Sequence, residues 1–297
     1  MQMKKYVLIS IAVALAAGTA KAATMSSSLT APTIDGEDIA NYGTVTGSDK
    51  WFYEDSGAGA VKGQTFTTGS SPLVFKAITY QGQKAEPTKT YAIRVGTVSG
   101  STFTQIYSET ATQTFTWNAS EYMTWTFAAP VLLLPNTVYG IDVGMTGSTS
   151  AWQTGIPYIN FTANVYAGGV QYSSGTLGVG TSSLSLTGND RIFHLDLEKA
   201  PTAPTGLKAI SGPATGSVRL DWTAVSNATG YNVKRSLTNS GYVTIGATAL
   251  TSYNDFTVRF LTNYYYVVSS TNSLIESTNS AAVFIKLPVP GTVITIH

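Results

Sequence analysis

Glu198-Lys-Ala-Pro-Thr-Ala-Pro-Thr-Gly206 divides the chain in two. Two prolines three residues apart, spaced by small residues, cannot lie inside a helix or a central strand. Each also drives its predecessor to an extended backbone. The stretch reads as a semi-stiff joint. Ahead of it the chain is rich in glycine, serine, threonine and tyrosine. Behind it lie about 85 to 90 residues, the size of a small β domain. The expected layout is a leader at 1–22, a first module at 23–198 and a proline-rich linker at 199–205. A second module at 206–288 and a tail at 289–297 complete it.

Of 297 residues, 43% are hydrophobic and only 11% charged, where about 25% charged is usual. Such a mix suits short strands and tight turns and supplies little for surface helices. There is no cysteine, which excludes disulfides, thiolate metal sites and cysteine nucleophiles. Stability then rests on apolar cores, and both modules are long enough for one.

At the N-terminus, Lys4-Lys5 precedes an apolar run from Tyr6 to Ala17, broken by Gly18. The run has the length of a secretory leader and is too short to span a bilayer comfortably. Ala20-Lys21-Ala22 places small residues where a leader peptidase needs them, so cleavage is expected after Ala22. Its short basic head is of the bacterial kind. No later stretch approaches about 18 apolar residues, so no membrane span is expected. The expected location is secreted or at the cell surface. Without Lys4, Lys5 and Lys21 the chain carries 14 basic against 16 acidic residues, a net charge of −2. That balance offers no footprint for nucleic acid. The sequons at Asn118, Asn160 and Asn227 read as chance products of composition.

The first module alternates with period two. Tyr91, Ile93 and Val95 share a face, as do Tyr139, Ile141 and Val143, and Phe193, Leu195 and Leu197. Met123, Trp125 and Phe127 follow the same rule. Period two means half-buried strands. Turn signals separate them, among them Thr68-Gly-Ser-Ser-Pro72 and Leu134-Pro-Asn-Thr137. The start, Ala23 to Asn41, has few large apolar residues and is expected to be partly loose. The whole predicts a two-sheet antiparallel sandwich. Gly63-Gln-Thr-Phe-Thr-Thr-Gly69, Thr124-Trp-Thr-Phe127 and Leu134-Pro-Asn-Thr-Val-Tyr139 resemble the jelly-roll modules of secreted and surface-anchored bacterial proteins. The resemblance covers roughly 51–143. It implies a jelly-roll-like sandwich of an adhesive or carbohydrate-binding kind.

Four of the five tryptophans lie here: Trp51, Trp117, Trp125 and Trp152, with Tyr53, Tyr80, Tyr158 and Tyr172 beside them. A flat ring can stack on the apolar C–H face of a sugar while polar neighbours bond its hydroxyls. Trp51, Tyr53, Trp152, Gln153 and Tyr158 are the candidate glycan platform; Trp125, between threonines on a strand, reads as core. Asp35, Glu37, Asp38, Asp49 and Asp190 are candidate ligands for a structural calcium ion, which such sandwiches often carry. No Asp-x-Asp-x-Asp-Gly loop is present, so solvated loop carboxylates are the preferred reading and no cofactor is expected. His194 shares a strand face with Asp196 and reads as outward-facing. Glu54, Glu109, Glu121 and Asp142 could serve glycosidase chemistry, but they form no paired motif.

In the second module, Val218, Leu220 and Trp222 share a face, as do Tyr231 and Val233. About seven strands with turns every 8 to 12 residues predict an immunoglobulin-like sandwich. Leu207, Trp222, Tyr231-Asn-Val233 and Thr262-Asn-Tyr264-Tyr-Tyr266-Val-Val268 closely resemble a fibronectin type III domain, over nearly the whole module. The resemblance implies that Trp222, Tyr231, Tyr264 and Tyr266 are structural core. It also implies that the Tyr264 hydroxyl satisfies an upstream backbone group, and that the module is a spacer. No Arg-Gly-Asp is present.

The expected fold is therefore all-β, a jelly-roll-like sandwich followed by a fibronectin type III sandwich. The expected function is exported, non-enzymatic binding or adhesion, with a polysaccharide or cell-surface glycan as partner. The alternatives are a structural matrix or surface-layer component, and an accessory fragment of a glycan-degrading enzyme.

Overall fold

The computed structural model describes residues 22–50, 61–82, 89–146, 158–175, 180–212 and 214–289. Among these residues every regular element is a strand and none is a helix. The first module comprises β1 (Thr24–Ser28), β2 (Ile39–Asn41), β3 (Gly47–Lys50), β4 (Val61–Thr67), β5 (Leu73–Gln81), β6 (Thr90–Ser99), β7 (Thr102–Thr112) and β8 (Tyr122–Leu133). It continues with β9 (Val138–Met145), β10 (Tyr158–Ala163), β11 (Gln171–Ser174), β12 (Thr181–Ser183), β13 (Ser185–Leu186), β14 (Asn189–Arg191) and β15 (Phe193–Lys199).

These strands form an antiparallel sandwich. One layer runs β1-β8-β5-β15-β2; the other runs β12-β7-β6-β9-β4-β11-β13. A smaller sheet, β14-β10-β3, closes one end. The main core lies between the layers. Met123, Trp125 and Phe127 of β8 meet Tyr139, Ile141 and Val143 of β9 there, with Phe193, Leu195 and Leu197 of β15. The start of the first module, expected to be partly loose, is built into the sheet at both ends. β1 and β2 border the five-stranded layer on its two edges, and Ala23 enters the core. An edge strand gains its place through backbone pairing and needs few large side chains.

The seven-stranded layer curls until its edges nearly meet. β12 and β13 lie on opposite edges, yet only Leu184 separates them in the chain. Glycines on the central strands permit the curl. At Gly63 the space a Cβ would need is filled by the Tyr172 ring, and at Gly140 by the Tyr172 hydroxyl. Phe103, Tyr172 and Leu184 form a second, small core inside the curl. Within it Arg94 and Asp142 form an ion pair, both side chains 0% exposed.

The second module has β16 (Lys208–Ser211), β17 (Val218–Asp221), β18 (Gly230–Ser236), β19 (Val243–Thr248), β20 (Ser252–Asp255), β21 (Asn263–Thr271) and β22 (Val283–Lys286). A three-stranded sheet, β16-β17-β20, packs on a four-stranded one, β19-β18-β21-β22. Trp222, Tyr231, Tyr264 and Tyr266 are buried between them. The Trp222 and Tyr231 rings meet edge-on at 5.3 Å. The Tyr264 hydroxyl accepts the Arg259 N–H at 2.9 Å, fastening the corner before β21. The first module repeats the device, with the Tyr139 hydroxyl accepting the Leu134 N–H at 2.8 Å.

The joint between the modules is packed. Pro201 and Pro204 are buried. The Ala200 N–H donates to the Pro72 carbonyl at 3.1 Å, and the Ser270 hydroxyl donates to the Thr202 carbonyl at 2.6 Å. An extended proline segment leaves its carbonyls free, and here a module takes one of them.

Asp255, on β20, carries a pH prediction. It accepts from Arg235 Nη1 at 2.7 Å, the Thr257 N–H at 2.9 Å and the Tyr266 hydroxyl at 2.8 Å. Burial alone would raise its carboxyl, but the hydrogen bonds from Thr257, Tyr266 and Arg235 outweigh burial and hold it below the ordinary value. A depressed folded value adds stability above the unfolded value of about 4 and loses it as pH falls through the folded value. The second module should therefore weaken in denaturant melts below about pH 4. Asp255→Asn should flatten that slope; an unchanged slope would remove Asp255 as its source.

Candidate functional site

The candidate end of the first sandwich is built on the smallest sheet. Lys50, the last residue of β3, pairs directly with Tyr158, the first of β10. Tyr158 is half-buried, and the Lys50 ammonium lies 5.7 Å from its ring centre. Trp51, Tyr53, Trp152 and Gln153 lie outside the described residues.

Behind this pair lies a polar layer that joins the small sheet to β4. Gln64 reads two neighbours at once: its Nε2 donates to Asp190 at 3.1 Å and its Oε1 accepts the Arg191 N–H at 2.9 Å. Asp190 also accepts the N–H groups of Val165 and Tyr166, each at 2.8 Å. Arg191, 1% exposed, holds Asp49 at 2.7 Å. Burial lowers its guanidinium from the ordinary value, and Asp49 opposes the shift. Lys62 shares this neighbourhood and is 8% exposed; burial lowers its ammonium too, again against Asp49.

Several residues named from sequence are interior. Tyr80 and Tyr172 are fully buried and form no part of a surface platform. Trp117 is also core, edge-on to Trp125 at 6.4 Å, with its indole N–H on the Glu121 carbonyl at 2.8 Å. His194 points away from the main core, yet it is buried rather than open to solvent. The segment before β2 covers it, and its Nε2 lies 3.0 Å from Asp38. Sequence reasoning missed this pair because its members are 156 positions apart.

The carboxylates are similarly engaged. Glu109 accepts the Ala128 N–H and the Tyr107 hydroxyl; Glu121 caps the Asn118 N–H at 2.9 Å. Asp142 faces Arg94. These are not two acids across a cleft; Glu54 lies outside the described residues. The calcium candidates do not converge. Asp38 serves His194 and the Leu197 N–H, Asp49 serves Arg191, and Asp190 serves Gln64. Among the described residues no group of three or more acids and histidines is placed to hold a metal ion.

No protein-family model matches the chain, and no curated protein matches it. Solved structures do match about a third of it. A fibronectin-type-III-like protein from Clostridium thermocellum is 40% identical, over 30% of this chain and 96% of that one, with a TM-score of 0.29. The structure described as FN3tt is 22% identical over 30% of this chain and 98% of its own, with a TM-score of 0.27. The fibronectin type III domain of human collagen alpha-1(XX) chain is 17% identical over 32% and 93%, also with a TM-score of 0.27. The second sandwich has a fibronectin type III-like fold, with three strands packed on four and a tyrosine corner. No helix among the described residues is long and apolar enough to cross a membrane.

Proposed function

We propose that the protein is exported by its leader to the medium or the cell surface, is not an enzyme, and acts in binding or adhesion. The first module, jelly-roll-like in this reading, contacts a glycan or surface polymer. The second holds it at a distance. The pairing of Lys50 with Tyr158 supports this. The two stretches that sequence marks as a sugar platform, Trp51-Phe-Tyr53 and Trp152-Gln153, adjoin or closely precede these paired positions. A ring that stacks a pyranose face needs amides and charges nearby to bond the hydroxyls. Tyr158, Lys50 and Gln153 supply those types.

A glycan array probed with wild type, Trp152→Ala and Tyr158→Ala tests the proposal. Wild type should bind one class of polysaccharide. Each variant should bind at least about fivefold more weakly, as expected for loss of a central ring worth ~1 kcal/mol or more. Wild type that binds no polysaccharide favours a structural matrix role instead. Release of reducing ends by wild type favours a piece of a glycan-degrading enzyme.

A further inference from the structure

A groove of about 800 Å³ opens on one flank of the second sandwich. Val243 and Ile245 of β19 line it, with Arg235 of β18, Thr257 and Arg259 after β20, and Tyr264 of β21. On the opposite flank β16 lies against β22, so that side is covered. β19 is the outer strand of its sheet. Its sequence, Val-Thr-Ile-Gly-Ala-Thr, contains no charge and no proline. Exposed edges are ordinarily guarded by lysine, proline or a covering segment, because their unpaired N–H and C=O groups invite another strand. Part of this edge is covered: the Tyr253 hydroxyl donates to the Ile245 carbonyl at 3.2 Å. The half that remains begins at Val243, 66% exposed.

That open half lies beside an unbalanced charge. Arg235 at the groove is matched by Asp255 at 2.7 Å. Arg259 is exposed, and its backbone N–H goes to Tyr264. Among the described residues no carboxylate meets its guanidinium. The groove thus holds two guanidiniums and the reach of one carboxylate.

We propose that this groove takes an extended peptide segment bearing a carboxylate. Its backbone pairs with the outward-facing N–H and C=O groups of the open half of β19, and its carboxylate bonds Arg259. Strand addition of this kind draws affinity from backbone hydrogen bonds and specificity from side-chain pockets. A guanidinium suits a carboxylate because its fork matches the two oxygens. A glycan offers no matching row of peptide donors and acceptors, so a bare edge favours another backbone. The second module is then a binding module as well as a spacer.

The test uses the full chain and two capped eight-residue peptides of alternating valine and threonine. One carries a central glutamate, the other a glutamine. Amide exchange followed by NMR should slow at whichever of the Val243 and Thr244 amides faces outward when the glutamate peptide is added, and not at Ala247 or Thr248. Affinity should fall about tenfold or more for the glutamine peptide, and equally for Arg259→Gln against the glutamate peptide. Arg259 is exposed, so Arg259→Gln should melt like wild type, which separates lost binding from lost folding. Equal binding of both peptides overturns the proposal, as does unchanged exchange at that outward-facing amide. Protection of the same amide by concentration-dependent pairing of the chain with itself, without peptide, also overturns it and makes a second copy the occupant.

Discussion

Trp222→Ala should melt the second sandwich while leaving the first one folded. Trp222 sits between the three- and four-stranded sheets, nearly closed to solvent, with the Tyr231 ring edge-on against it. Removing an indole from such a place loses its transfer free energy and leaves a cavity that two braced sheets fill poorly. The cost of such a truncation is about 3 to 5 kcal/mol. A small domain holds only about 5 to 15 kcal/mol in all. The melting temperature of the module should therefore fall by roughly 15 to 30 °C. Scanning calorimetry of the whole chain gives the readout, because the two cores are separate clusters. Trp222→Phe should cost less, since a ring still fills part of the gap. A Trp222→Ala chain with both transitions unmoved would refute the role given to this residue.

The second sandwich was legible because its determinants are local. Val218, Leu220 and Trp222 alternate along one strand, and Tyr264 lies five residues from the N–H that it accepts. Alternation also marked β6, β8, β9 and β15 of the first sandwich. What stayed hidden there depends on distant positions. Gly63 and Gly140 carry no local sign of their role, yet their missing side chains make room for the Tyr172 ring and hydroxyl and let the sheet curl. Asp38 looks like a loop carboxylate until the fold brings His194 to it. Tyr80 and Tyr172 look like surface aromatics because a buried tyrosine is recognised only by its partners, here the Ile141 carbonyl and Asp142. In the candidate site, Tyr158 alone of the named platform residues lies among the described residues. The pairing of Lys50 with Tyr158 was not legible, since a ladder between strands more than a hundred residues apart leaves no local pattern.

Asp142→Leu should be among the most damaging single changes in the first sandwich, and adding Arg94→Met should restore much of the loss. Arg94 Nε meets Asp142 Oδ1 at 2.8 Å, and Nη2 meets Oδ2 at 2.9 Å. The Tyr172 hydroxyl donates to the same carboxylate at 3.0 Å, and the Phe103 ring centre lies 4.8 Å from the guanidinium carbon. Burial pushes the Asp142 carboxyl up, while Arg94 and Tyr172 pull it back. The two-point geometry is that of a carboxylate held by a guanidinium. Inside the curled sheet neither charge can turn to water. Removing Asp142 takes the carboxylate from Arg94, which keeps its bonds to Ser174 and Ser182, and breaking such a buried pair costs about 3 to 5 kcal/mol. Replacing both with apolar groups of similar volume removes the buried charge as well, and such replacements are often neutral or stabilising. Tyr172→Phe in the same background should recover more, since its hydroxyl would otherwise lose its acceptor. Chemical denaturation of the single, double and triple variants measures the series. If the double variant proves as unstable as Asp142→Leu alone, the damage comes from lost shape rather than buried charge. The pair would then be a packing element of the curl, and its charges incidental to the stability of the sheet.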